Sequence, residues 1–254
     1  MTNALVPVQP EVTRALVVIP AHNEEDFIAE CLTSVIISSE VAKNLWAQRG
    51  RSLRVETIVV ADSCTDATVE IIASFAPRCR VVAASCRRVG AARDKGVVEG
   101  IELLGGLADG DIWVFNTDAD SCVAPEWIAF HLDRARTTDA IKGTVCPRWR
   151  SDELTDVIAS YNMLYDDHDG HSHTHGANMS FSARAYLSVG GFPLVAESED
   201  VGLMHRFWED GLTVASLASF PVMTSTREST RTPGGFSGYV HDLKTGLLEL
   251  DETV

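Results

Sequence analysis

The stretch Asp111-Ile-Trp-Val-Phe-Asn-Thr-Asp-Ala-Asp120 decides how the rest of the chain is read. Its apolar run, residues 112–115, has the length and continuity of a short buried strand. The run ends in two carboxylates spaced i, i+2, Asp118 and Asp120. Open α/β sheets bind ligands at the C-terminal ends of their strands. Mg²⁺ and Mn²⁺ are usually held by one or two carboxylates, with substrate phosphates and water completing the shell. An Asp-x-Asp so placed points to a nucleoside diphosphate bound through a metal. A solvated acidic turn satisfies the same spacing.

The neighbouring segments repeat the pattern. Residues 16–19 form an apolar run closed by Pro20, residues 57–61 form a second with Asp62 at its end, and residues 80–84 form a third. Helical spacings separate them. Asn23-Glu-Glu-Asp26 opens the first helix, with Asn23 as its cap and the acids suiting the positive N-terminus. Phe27, Ile28, Cys31, Leu32 and Val35 follow on one face. Thr65 or Asp66 caps a second helix with the apolar face Val69, Ile72, Ala73 and Phe75. A third, residues 90–104, stops at Gly105-Gly106, and Pro125-Glu-Trp127 opens a fourth.

Four strand–helix repeats with short loops predict an α/β fold built on a mostly parallel, doubly wound sheet. After a strand at 140–146 the pattern changes. Residues 153–165 read as helix, 166–175 as a polar loop, 179–182 as strand, 183–189 and 199–209 as helices, and 213–217 as strand. A helix over 234–249 follows a flexible loop.

With 21 basic and 36 acidic residues in 254, the net charge is −15. A nucleic-acid backbone is therefore excluded as partner, since it calls for clustered Lys and Arg. A diphosphate remains possible if a metal supplies the positive charge. Six scattered cysteines without a C-x-x-C pair read as small buried hydrophobes in a reducing compartment. Residues 1–10 lack the marks of a signal peptide, and no run approaches the ~18 apolar residues of a membrane span. The expectation is one soluble, cytoplasmic domain.

In a parallel sheet the strand ends Pro20-Ala-His-Asn-Glu24, Ala61-Asp-Ser63 and Asp118-Ala-Asp120 converge on one crevice. Asp62 there is either a turn residue or the acceptor for a base N–H, and Glu24 either a helix-dipole partner or a site residue. Val18-Ile-Pro-Ala-His-Asn-Glu-Glu25, Ile58-Val-Val-Ala-Asp-Ser-Cys-Thr-Asp66, Gly90-Ala-Ala-Arg-Asp-Lys-Gly96, Asn116-Thr-Asp-Ala-Asp120 and Glu199-Asp200 occur in that order. Together they resemble the motif set of family 2 glycosyltransferases of the GT-A fold, over residues 14 to 220.

The resemblance implies a nucleotide-binding half at 14–122, an acceptor-side half at 123–225, and a C-terminal loop and helix at 226–254. It implies that Pro20, Ala21, His22 and Glu24 lie along the base and ribose of a UDP- or GDP-sugar, with Asp62 on the base. Arg93 would approach the nucleotide or diphosphate, or else be a surface ion-pair residue. Asp118 would face ribose and metal, Asp120 would ligate Mn²⁺ or Mg²⁺, and His241 is the candidate to complete the shell. Asn178 and Glu199 would border donor sugar and acceptor. Asp200 would deprotonate the acceptor hydroxyl, although Glu199-Asp200 also reads as plain helix N-terminal acids. Family 2 enzymes invert; retaining GT-A families share similar donor motifs, so a retaining transferase stays open.

Two segments stand apart. His168-Asp-Gly-His-Ser-His-Thr-His175 reads as a mobile polar loop, an acceptor-site loop, or a metal site. Residues 226–235 carry Arg227 and Arg231 among turn formers. They read as a loop folding over the diphosphate or as a solvated linker. The expected activity is metal-dependent sugar transfer to a hydroxyl of a small or soluble acceptor. A sugar-nucleotide pyrophosphorylase is disfavoured because Pro20-Ala-His-Asn-Glu24 has neither glycine nor base, and a non-catalytic nucleotide-sugar-binding protein because Asp118, Asp120 and Asp200 are all present.

Overall fold

A computed structural model of the chain describes residues 12–108, 110–150, 155–195, 197–227 and 236–245. The first half alternates as its apolar pattern predicts. Strands β1 (Arg14–Ala21), β2 (Arg54–Asp62), β3 (Arg80–Ala84) and β4 (Trp113–Asn116) run parallel in the order β3-β2-β1-β4. Helices α1 (Ile28–Gln48), α2 (Thr68–Ser74) and α3 (Val89–Leu103) connect them. The strand order reverses at β1, so the crevice beyond β1 and β4 is the topological switch point where such sheets take ligands.

β1 shows how the core is built. Ala15, Val17, Ile19 and Ala21 enter one apolar cluster with Ile28, Leu32 and Trp46 of α1, while Leu16 and Val18 enter a second with Ala92 and Val97 of α3. A strand buried on both faces has to be apolar at every position, which is why it reads as a continuous run.

The second half adds β5 (Ser121–Cys122), α4 (Trp127–Arg134), β6 (Ala140–Arg148), α5 (Thr155–Leu164), β7 (Met179–Ser182), α6 (Ala183–Ser188), α7 (Glu199–Glu209), β8 (Val214–Ser225) and α8 (Phe236–Thr245). The sheet continues β4-β7-β6-β8-β5. Here it is mixed: β7 lies antiparallel between β4 and β6, and β5 antiparallel to β8. Among the described residues no helix is long and apolar enough to cross a membrane.

Several local expectations are corrected. Pro20 does not close β1, which continues to Ala21 in register with β2. Val18 faces β4, accepting from the Thr117 N–H, so Pro20, two residues on, faces the side where β4 has ended and has no ladder bond to lose. Asn23 does not cap α1, which starts five residues later. Asn23 sits in the left-handed region (φ 56°) and accepts from the Thr65 N–H at 2.8 Å. On α2, Val69 and Ala73 are exposed, and the inward face is Thr68, Ile71, Ile72 and Phe75. β8 runs eight residues past Leu217 because its pairing with β6 resumes at Val222 and continues to Ser225, where β5 also pairs on its other edge at Met223 and Thr224. All six cysteines are free, with only Cys31 and Cys79 buried. The expected C-terminal helix is seen as α8; residues 234–235 and 246–249 lie outside the described residues.

α3 sits close to the sheet because Gly96 faces it. A Cβ on Gly96 would stand 2.5 Å from Val18 Cγ1 and 2.9 Å from Val60 Cγ2, both stiff β-branched side chains on paired strands. Gly96→Ala regains up to about 1 kcal/mol of helix propensity but incurs overpacking of about 1–3 kcal/mol. A net loss of stability with an unchanged m-value is expected in urea unfolding; a stabilised variant would show that α3 has room to move.

Candidate active site

The base-side wall is two loops stitched together. After β1, His22 Nδ1 lies 2.5 Å from the Asp62 backbone carbonyl. The Glu24 N–H donates to Thr68 Oγ1 at 2.7 Å, and the Glu25 carboxylate accepts from the Ala67 N–H at 2.9 Å. Asp66 returns the pattern, accepting from the N–H groups of Glu25 and Thr68. These bonds tie Pro20, Ala21, His22 and Glu24 to the end of β2. Asp62 is buried there, its carboxylate accepting only a 3.2 Å bond from the hydroxyl of Ser63 among the described residues. Its remaining acceptor capacity faces the same wall.

The floor is organised by Arg93, not by a surface guanidinium. Arg93 is 3% exposed on α3. Its Nη2 donates to Asp118 Oδ1 at 2.5 Å, and its Nη1 to Glu199 Oε1. Burial works against the charge, but Asp118 and Glu199 outweigh it and raise the guanidinium's pKa. Glu199 is buried at the start of α7, its carboxyl pushed up by burial and pulled back by Arg93. Its neighbour Asp200 is left half-exposed, accepting from the Gly176 N–H at 2.7 Å and the Val201 N–H at 2.8 Å. Gly176 lies flat on Arg93: a Cβ there would fall 2.3 Å from Nη2.

The third part is Asp120, whose side chain is 17% exposed. Burial, then Asp118, push its carboxyl up to about 6, with Arg227 opposing and Glu24 adding. Arg227 Nη2 donates to Glu24 Oε1 at 2.6 Å and lies 3.3 Å from Asp120 Oδ2, with its guanidinium 4.9 Å above the Phe27 ring. Arg231 lies outside the described residues.

Other expected residues take different places. Asn178 is fully buried. Its amide accepts from Trp127 Nε1 and donates to the Thr144 carbonyl, so it braces the turn at Gly176–Asn178 from beneath. His241 is exposed on α8. The histidine loop is packed in part: His171 is buried and His173 and His175 half-buried, while His168 is exposed. His171, His173 and His175 stack at 5.7–5.8 Å, and Tyr165 lies parallel to His173 at 4.4 Å. Burial, then the neighbouring His173 and His171, push His175 down to about 3. Phe27 and Tyr165 carry no site signal in the sequence, whereas the resemblance implied that the segment Gly176-Ala-Asn-Met-Ser180 borders donor sugar and acceptor.

A sequence model described as glycosyl transferase family 2 matches residues 16–157, more than half of the 254 residues. The chain belongs to glycosyl transferase family 2. No curated protein sequence matches it. Similar solved structures include PcManGT, a mannosyltransferase from Pyrobaculum calidifontis in complex with GDP-Man and Mn²⁺ (TM-score 0.61, 18% identity, 90% of this chain and 62% of that one). GalNAc-T7 with UDP, GalNAc and Mn²⁺ gives a TM-score of 0.60 at 14% identity, over 90% of this chain and 48% of that one. S. aureus TarS 1-349 with UDP gives 0.55 at 15%, over 94% and 67%. The chain thus spans roughly half to two-thirds of these proteins' lengths. The likeness establishes the GT-A fold, and family membership makes the protein a glycosyltransferase.

A hard divalent cation fits the residues of this glycosyltransferase. Asp118 and Asp120 offer oxygen donors, and Asp120 sits among more negative charge than Arg227 offsets. Among the described residues no group of three or more His, Cys, Asp or Glu is arranged around a metal position. His241 belongs to no such group. Because folding raises the Asp120 pKa from 3.8 to about 6, ionised Asp120 destabilises the metal-free protein as pH rises through that window and costs its full amount above it. Asp120→Asn is expected to stabilise the metal-free protein by about 1–3 kcal/mol at pH 7.5 and hardly at all at pH 4. It should also abolish the stabilisation given by Mn²⁺. Urea unfolding with and without Mn²⁺ checks both; an Asn variant less stable at pH 7.5 would refute the assignment.

Proposed function

We propose that this family 2 glycosyltransferase moves a sugar from a UDP- or GDP-sugar to a hydroxyl of a small or soluble acceptor. It does so with Mn²⁺ or Mg²⁺ on Asp118 and Asp120 and with inversion at the anomeric carbon. The observation that carries this reading is the connected set Asp118–Arg93–Glu199 with Gly176 and Asp200 beside it. Donor-side carboxylate and acceptor-side carboxylate are held on one buried frame.

Within that frame, Asp62 accepts from the base, and His22, bonded to the backbone of Asp62, fixes the wall beside it. Asp118 is oriented toward ribose and metal by Arg93. The bound metal would act as a Lewis acid on the departing diphosphate. Arg227 adds a charge-assisted donor for the same phosphates. Asp200, rather than Glu199, takes the acceptor proton: Glu199 is buried against Arg93, while Asp200 is half-exposed and held in place by the Gly176 N–H.

UDP or GDP with Mn²⁺ should raise the apparent stability of wild type and Asp200→Asn alike. Turnover of the Asn variant should fall roughly 10²–10⁴-fold, the usual contribution of a general base. NMR of the glycoside should show inverted configuration. A retained anomer, or near-normal turnover in Asp200→Asn, would remove Asp200 from the base role.

A further inference from the structure

Arg227 occupies an unusual place for a residue meant to greet a diphosphate. Its guanidinium already fills the space between two site carboxylates, 2.6 Å from Glu24 Oε1 and 3.3 Å from Asp120 Oδ2, and rests on the Phe27 ring. The backbone beneath it is anchored: Thr226 Oγ1 donates to the Arg148 carbonyl at 3.1 Å, and the Arg227 N–H donates to Ser225 Oγ at 3.1 Å. The side chain is one-third exposed.

We infer that Arg227 is an internal counter-ion to Glu24 and Asp120, and that a divalent metal binding on the Asp118–Asp120 side competes with it for the Asp120 carboxylate. The inference rests on the metal–diphosphate reading of this site. A metal on Asp120 would share that carboxylate with Arg227. Arg227 Nη2, 3.3 Å from Asp120 Oδ2, would then face a second, larger positive charge across the same oxygen. Free metal therefore binds at the expense of the Arg227–Asp120 contact.

A nucleoside diphosphate reverses the balance. Its phosphates bring negative charge and planar pairs of oxygens that a guanidinium engages bidentately. Metal, diphosphate and Arg227 are then mutually supporting. The same side chain opposes metal alone and favours metal with nucleotide, so the two ligands bind cooperatively, each raising the other's affinity by the same factor.

The test is a calorimetric titration of Mn²⁺ alone, then of UDP and GDP at saturating Mn²⁺, into wild type, Arg227→Ala, Arg227→Lys and Phe27→Leu. Arg227→Ala is expected to bind Mn²⁺ alone about tenfold more tightly and nucleotide about tenfold more weakly, within the usual range of coupling between sites. The opposite signs distinguish this role from a merely structural one. Arg227→Lys should stay near wild type for Mn²⁺, having kept its charge. Phe27→Leu, which removes the ring but no charge, should tighten Mn²⁺ by a smaller factor. These two variants decide the matter if circular dichroism shows Arg227→Ala misfolded. Unchanged or weakened Mn²⁺ binding in Arg227→Ala and Phe27→Leu would overturn the inference. If wild type binds neither UDP nor GDP, the nucleotide-sugar reading fails, and the Mn²⁺ titration still decides the role of Arg227.

Discussion

The buried guanidinium of Arg93 is the constraint on which the site depends. It joins Asp118, beyond β4, to Glu199, at the start of α7, and so ties the first half of the chain to the second. Removing one partner of such a group leaves a buried charge uncompensated, at a cost of about 3–5 kcal/mol. The strut also dictates small residues around it. A Cβ on Gly90 would stand 2.8 Å from Glu199 Cγ, and one on Gly176 would enter the guanidinium itself. Because Gly176 must lie flat against Arg93, its N–H is delivered to Asp200. One steric requirement thus bears on both Asp118 and Asp200.

The two arginines of the site divide the work by burial. Arg93 is 3% exposed and enclosed by its two carboxylates, so it is permanent structure. Arg227 is one-third exposed, stacked on Phe27, and shares carboxylates that have other uses. In a chain of net charge −15 the crevice gathers Glu24, Asp118, Asp120, Glu199 and Asp200, and self-repulsion has to be offset somewhere. Burial of Asp120 leaves that repulsion partly unrelieved, and its carboxyl is pushed up to about 6.

The parallel half of the fold was legible because burial on both faces forces uninterrupted apolar runs, and residues 80–84, 179–182 and 199–209 were placed at their observed bounds. What misled was local chemistry with two uses. Asn23 has the right type and place for a helix cap, but its amide is claimed by Thr65, 42 residues on. Val69 and Ala73 have helical spacing, yet α2 rolls to bury Thr68 instead, whose hydroxyl binds Asp66 and the Glu24 N–H. Asp118 and Asp120 could be named from spacing and strand-end position. Arg93 could be named but not understood, since its partner Glu199 is 106 residues away and no periodicity connects them. Only that contact separates Glu199, which is consumed, from Asp200, which is available.

The histidine run teaches the same lesson from composition. Its polarity reads as a mobile loop, but His173 lies parallel to Tyr165, His171 and His175 stack on His173, and burial lowers the pKa of all three. The Tyr165 oxygen accepts from the Val145 N–H at 3.0 Å and hydrogen-bonds His175 Nε2 at 2.9 Å, which ties the last histidine to β6. His175 directly precedes Gly176, and Asn178 clamps the turn from the other side through Trp127 and Thr144. The peptide that holds Asp200 is thereby immobilised from both ends. A carboxylate oriented before any ligand arrives has its reorganisation completed during folding. A run that reads as a mobile loop, an acceptor-site loop or a metal site is thus in part packed against the turn whose N–H holds Asp200.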